Sequence, residues 1–173
     1  MIRETKLRIQ KMSIYGAFLL LFYVLQTTPG FLTFWGAKPL LVLPFVICIA
    51  MMDGELVGGL FGLAAGVLCD TSGITLFGIN SLLYMAACVA VGLLVIYYMQ
   101  PSRLNSLIFT GTTMVLRQLF EYFFFYVMWG YEDISIILLR HMLPTVLLTL
   151  AVTPLMYELV RLIYAYYRRK LHD

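Results

Sequence analysis

Charge is what this chain has least of. Lysine and arginine number 12, and aspartate and glutamate 9, in 173 residues. A soluble domain carries about 25% charged residues; here the share is 12%. Burial cannot absorb the deficit, because a soluble domain of this length still needs a polar surface. The net charge of +3 is small and lies at the two ends, so there is no basic domain for nucleic acid. Histidine is almost absent: His141 and a tail residue, His172. The cysteines, Cys48, Cys69 and Cys88, are scattered through apolar runs. Such a set argues against a disulfide framework and against a zinc site, which needs clustered ligands. There is no phosphate-binding glycine loop, no H-E-x-x-H and no G-x-S-x-G. An aspartyl membrane protease needs two facing aspartates, and Asp70 has no clear twin. The expectation is a protein without catalytic residues, metal or cofactor.

What the chain has is apolar length. It is 62% hydrophobic with a mean hydropathy of +0.91. That composition fits a polytopic membrane protein. Six hydrophobic segments stand out, at about 13–28, 39–52, 56–72, 79–99, 104–129 and 135–157. The second and third are short against a hydrocarbon core of about 30 Å. They can borrow flanking residues, or form a hairpin that dips deeply. The first follows a basic segment, as a signal peptide would. No A-x-A-like cleavage site follows it, so a retained span is expected. Phe31, Phe34 and Trp35 suit an interfacial belt.

Basic residues set the orientation. With the N-terminus in the cytoplasm, Arg3, Lys6, Arg8, Lys11, Arg103, Arg161, Arg168, Arg169 and Lys170 all lie inside, and Lys38 alone lies outside. Both termini are then cytoplasmic, which requires an even number of spans. The expected architecture is all-α: a single integral membrane domain over 1–173, built as a six-helix bundle. No soluble domain, linker or internal repeat is visible.

Small residues recur at every fourth position: Ala50, Gly54, Gly58, Gly62 and Gly66. In water each helical glycine would cost roughly 1 kcal/mol against alanine. In a bilayer, small residues at this spacing let two backbones approach closely. The third segment is therefore expected to be the tightly packed central helix. The next position in the register is Asp70. Its carboxylate either reaches headgroup water at the helix end, or turns inward to a partner arginine. Charges within a span cost roughly 2.5–3.5 kcal/mol on insertion scales, so a partner matters.

Two arginines are candidates. Arg117 shares a stripe with Thr110, Thr113 and Glu121 on the fifth segment. Either Arg117 and Glu121 form a self-satisfied pair, or one of them bonds across the bundle to Asp70 or lines a polar cavity, with Gln118 beside the stripe. Arg140 lies near the outer end of the last span, beside His141, at a depth close to that of Asp70. Pro144 and Pro154 are expected to bend that last helix. The tyrosine-rich, basic stretch from Glu158 to Lys170 reads as a lipid-anchored helix end or as a docking surface.

The stretch Glu55-Leu-Val-Gly-Gly-Leu-Phe-Gly-Leu-Ala-Ala-Gly-Val-Leu-Cys-Asp70, followed by Thr71-Ser-Gly-Ile-Thr-Leu-Phe-Gly78, resembles the rod shape-determining protein MreD family. The shared pattern is a glycine-spaced helix ending in aspartate, a short loop, then Leu-x-Gly and a long apolar span. Pro39 and the basic tail are also similar. The sharp part covers about residues 39–95, and no function carries over to Arg117 or Arg140. The resemblance implies a bacterial inner-membrane, non-enzymatic scaffold of the cell-wall elongation machinery. Such proteins link the actin-like filament and the MreC protein to the peptidoglycan polymerase and transpeptidase. It also implies a fold like the substrate-binding subunits of energy-coupling-factor transporters. The alternative function is a small-molecule-binding subunit of such a transporter. The structural or partner candidates are Gly54, Gly58, Gly62, Gly66, Asp70, Gly78, Arg117, Glu121 and Arg140.

Overall fold

The computed structural model describes residues 2–28, 30, 38–72, 78–129 and 134–172, and every element in it is helical. The order is α1 (Ile2–Thr27), α2 (Val42–Asp53), α3 (Glu55–Ser72), α4 (Ile79–Tyr97), α5 (Arg103–Trp129) and α6 (Ile134–His172). Three of the described helices carry stretches long and apolar enough to cross a membrane: Glu4–Thr27, Ile79–Tyr97 and Pro144–Lys170. Phe31, Phe34, Trp35 and residues 130–133 lie outside the described residues.

The packing corrects one expectation. The central helix is α2, not α3. All ten residues from Val42 to Met51 are buried. A helix that is apolar all round belongs in an interior, and the Val-Leu-Pro-Phe-Val-Ile-Cys-Ile run has no polar face to show. At 12 residues it is roughly 18 Å long, short of the hydrocarbon core of about 30 Å. Its start is closed by side chains from other helices. Gln26 Oε1 of α1 accepts the Leu41 and Val42 amides at 2.9 and 3.3 Å, and Thr149 Oγ1 of α6 accepts the Leu40 amide at 3.0 Å. Without them these donors would be stranded away from water.

The end of α2 turns within one residue. Gly54 takes φ +88°, a region that side chains disfavour. Its amide donates to Ala50 O at 3.1 Å and its carbonyl accepts the Gly58 amide at 3.0 Å. One glycine thus closes α2 and opens α3.

The third helix packs by one face only. Gly58, Gly59, Gly62, Ala65, Gly66, Cys69 and Asp70 are buried. Leu56, Leu60, Leu63 and Val67 are exposed on the other side, with Leu60 at 69%. Those two sets follow the 3.6-residue helical period, and the bare leucines are what a lipid-facing surface requires. Aromatic contacts fix α1 against α2 and α3. Phe22 and Phe45 rings lie edge-on at 5.1 Å, and Tyr15 meets Phe61 at 5.9 Å.

The last helix is 39 residues long and runs through both Pro144 and Pro154. At 1.5 Å per residue this is roughly 58 Å, well beyond the bilayer core. Its tyrosine-rich end therefore continues the same rod rather than starting a separate element.

Candidate functional site

The glycine face is a true close contact. A Cβ added at Gly58 would stand 2.3 Å from Ala50 Cβ of α2. At Gly62 it would meet Tyr84 O at 2.7 Å, and at Gly66 Ser81 Cα at 2.2 Å, both on α4. The stripe therefore serves two neighbours. Gly58 admits α2, and Gly62 and Gly66 admit α4. The fourth helix reciprocates, since a Cβ at Gly92 would lie 2.6 Å from Glu55 Cα. Backbone-to-backbone approach of this kind is what dispersion rewards in lipid.

Asp70 ends the same stripe and is 4% exposed. Its carboxylate turns inward, but among the described residues no arginine bonds it directly. It closes the start of α4. Gly78 precedes that helix with φ +101° and has no side chain to offer as a cap. Asp70 supplies the missing acceptor from a different helix. Oδ2 accepts the Gly78 amide at 3.0 Å, the Ser81 amide at 3.1 Å and the Ser81 hydroxyl at 2.6 Å. Oδ1 accepts the Asn80 amide at 3.2 Å. A carboxylate at a helix N-terminus also meets the positive end of the helix dipole.

Arg117 stands one residue further along. Its Nε donates to Asn80 Oδ1 at 3.0 Å, and its Nη2 donates to Glu121 Oε1 at 2.6 Å. Arg117 thus pairs with Glu121 on its own helix and reaches Asn80 on α4. The chain Glu121–Arg117–Asn80–Asp70 ties α5, α4 and α3 together. Thr113 takes no part, donating instead to Phe109 O of its own helix at 2.8 Å. The side chains of Arg140 and His141 lie outside the described residues.

The family model for rod shape-determining protein MreD matches residues 6–167. The chain belongs to the MreD family. No curated protein and no solved structure matches it. Membership in the MreD family implies a membrane protein with a role in rod shape determination. The sharply resembling stretch contains the glycine face, Asp70 and Gly78. In this MreD-family chain those residues form one construction, a close-packed pair of antiparallel helices with the second capped by the first.

A second polar group at the other end of the bundle escaped the sequence. Lys11 Nζ pairs with Asp53 Oδ1, and the Tyr15 hydroxyl donates to Asp53 Oδ2 at 2.8 Å. The ammonium also lies 5.0 Å from the Tyr164 ring centre. Helices α1, α2 and α6 meet here. Lys11 reads in sequence as one more basic flanking residue, and Asp53 as a turn residue beside Gly54. Nothing in their spacing links positions 42 residues apart. Among the described residues no group of three histidine, cysteine or acidic side chains could hold a metal ion.

Proposed function

We propose that the chain is a non-enzymatic scaffold of the bacterial wall-elongation complex, a single inner-membrane domain that crosses the bilayer six times with both ends in the cytoplasm. In this role it links the MreC protein and the actin-like filament to the peptidoglycan polymerase and transpeptidase. The contact of Lys11 with the Tyr164 ring supports the shared side of the termini, because it joins the start of α1 to the far end of α6. The basic flanks then supply the direction.

One observation carries the scaffold reading. The charged groups described where α3, α4 and α5 meet are engaged with protein partners: Asp70 with the start of α4, and Arg117 with Asn80 and Glu121. What remains for partners is the outer surface, where Leu60, Leu82, Leu119 and Leu147 are exposed. The transporter-subunit alternative relied on the polar stripe of α5 lining a pocket, and in that stripe Thr113, Arg117 and Glu121 are engaged with protein partners.

Purification of tagged protein in mild detergent separates the two. A scaffold retains MreC, and its depletion rounds the cells. Retention of a small molecule and an energising ATPase, with cell shape unchanged on depletion, would overturn the proposal.

A further inference from the structure

At the end of the bundle that holds Lys11 and Asp53 lies a cleft of about 480 Å³. The segment between α4 and α5 forms one wall and the last turns of α6 the other. Ser102, Arg103, Tyr157, Arg161, Tyr164 and Arg168 are among the residues that line it. Three guanidinium groups converge there. Among the described residues Glu158 is the one carboxylate that pairs with them, taking Arg103 at 2.6 Å and Arg161 at 3.7 Å. Arg168 makes no ion pair among the described residues. The local balance is therefore positive by two.

The start of α5 adds to that field. Ser102 caps it, its Oγ accepting the Asn105 amide at 3.2 Å and its carbonyl the Ser106 amide at 3.0 Å. The positive end of the helix dipole thus opens at the cleft wall. The wall is held in place by the Tyr157 hydroxyl, which donates to Pro101 O at 2.9 Å. Tyr97 and Tyr98 at the end of α4, shortly before that wall segment, and Tyr166 on α6 are exposed. Exposed tyrosines mark the depth of lipid headgroups.

We propose that this cleft binds a phosphate-bearing anion, the headgroup of an anionic phospholipid in the adjoining leaflet. Planar guanidinium forks suit phosphate oxygens. The volume falls within the range of small-ligand sites, about 300–1,000 Å³. The inference requires that the chain sits in a bilayer, but it is independent of the scaffold role. A protein that failed to retain MreC could still hold lipid here.

The test is native mass spectrometry of the full chain in mild detergent, titrated with phosphatidylglycerol. Parallel titrations use phosphatidylcholine and glycerol 3-phosphate. Phosphatidylglycerol is expected to bind at one site per chain, phosphatidylcholine at least tenfold more weakly, and glycerol 3-phosphate is expected not to displace the lipid. In the Arg161→Gln/Arg168→Gln double variant the affinity for phosphatidylglycerol falls roughly thirtyfold, at about fivefold per arginine. Arg168→Gln alone, which removes no ion pair, falls about fivefold and serves if the double variant unfolds. A charge-matched Lys6→Gln/Arg8→Gln variant, away from the cleft lining, keeps wild-type affinity. Equal binding of all variants, or equal loss in the charge-matched control, would overturn the site. Full displacement by glycerol 3-phosphate would overturn the lipid as its occupant.

Discussion

The Asp70 carboxylate accepts both the amide and the hydroxyl of Ser81, at 3.1 and 2.6 Å, across the gap between α3 and α4. The contact joins the C-terminal end of one helix to the N-terminal end of the next, and it supplies a cap that Gly78 cannot. Removing it strands the Gly78, Asn80 and Ser81 amides in a place where lipid offers no substitute. Asp70→Ala is expected to destabilise by about 2 kcal/mol or more, since each buried donor left unpaired costs roughly 1–3 kcal/mol. Ser81→Ala removes one hydrogen bond to a charged group and keeps the rest, so about 1.5 kcal/mol, the low end for such a bond, is expected. Thermal unfolding in mild detergent measures both, and the order Asp70→Ala below Ser81→Ala below wild type is the diagnostic.

Arg117 and Glu121 form a half-buried pair, 21% and 24% exposed. Each single truncation leaves the other charge without its neighbour. Breaking a buried pair costs about 3–5 kcal/mol, whereas replacing both members with apolar residues is often neutral. At this partial exposure the single losses are expected to be smaller, about 1–3 kcal/mol. Arg117→Leu and Glu121→Leu should each lower the melting temperature, and the double variant should recover part of the loss. A double variant that falls by the sum of the singles would show that the two side chains act independently.

Lys11 and Asp53 hold the opposite end. Asp53 is the more enclosed partner, with a side chain 7% exposed against 14% for Lys11. Lys11→Gln leaves that carboxylate with the Tyr15 hydroxyl alone, so it is expected to cost more than Tyr15→Phe. The latter removes one hydrogen bond to a charged group, roughly 1.5–3 kcal/mol. Detergent-solubilised yield and melting temperature report the ranking.

The sequence made part of this construction legible and hid the rest for a physical reason. Glycines at every fourth place report close approach directly, because only a missing Cβ allows it, and Gly58, Gly62 and Gly66 all meet a neighbouring backbone or Cβ. The inward turn of Asp70 followed from its register on that stripe. Its partner did not, since a row of backbone amides carries no side-chain signature. The central place of α2 was missed for a similar reason. Small residues draw the eye, but a helix uniformly coated in Val, Leu, Ile and Phe is the one with no face to spare. Gln26, which caps α2 from the end of α1, gave no pattern at all, because capping between distant helices has no fixed sequence offset.

Close nesting of α3 against α2 and α4 underlies everything above, and the melting temperature of Gly66→Ala beside Gly16→Ala tests it most directly. A Cβ at Gly66 would stand 2.2 Å from Ser81 Cα, whereas one at Gly16 meets nothing within 4 Å. Overpacking costs about 1–3 kcal/mol, so Gly66→Ala is expected to melt several degrees below wild type. Gly16→Ala should match or exceed wild type, because alanine favours the helix by about 1 kcal/mol. A Gly66→Ala protein as stable as Gly16→Ala would contradict the packing on which the account is built.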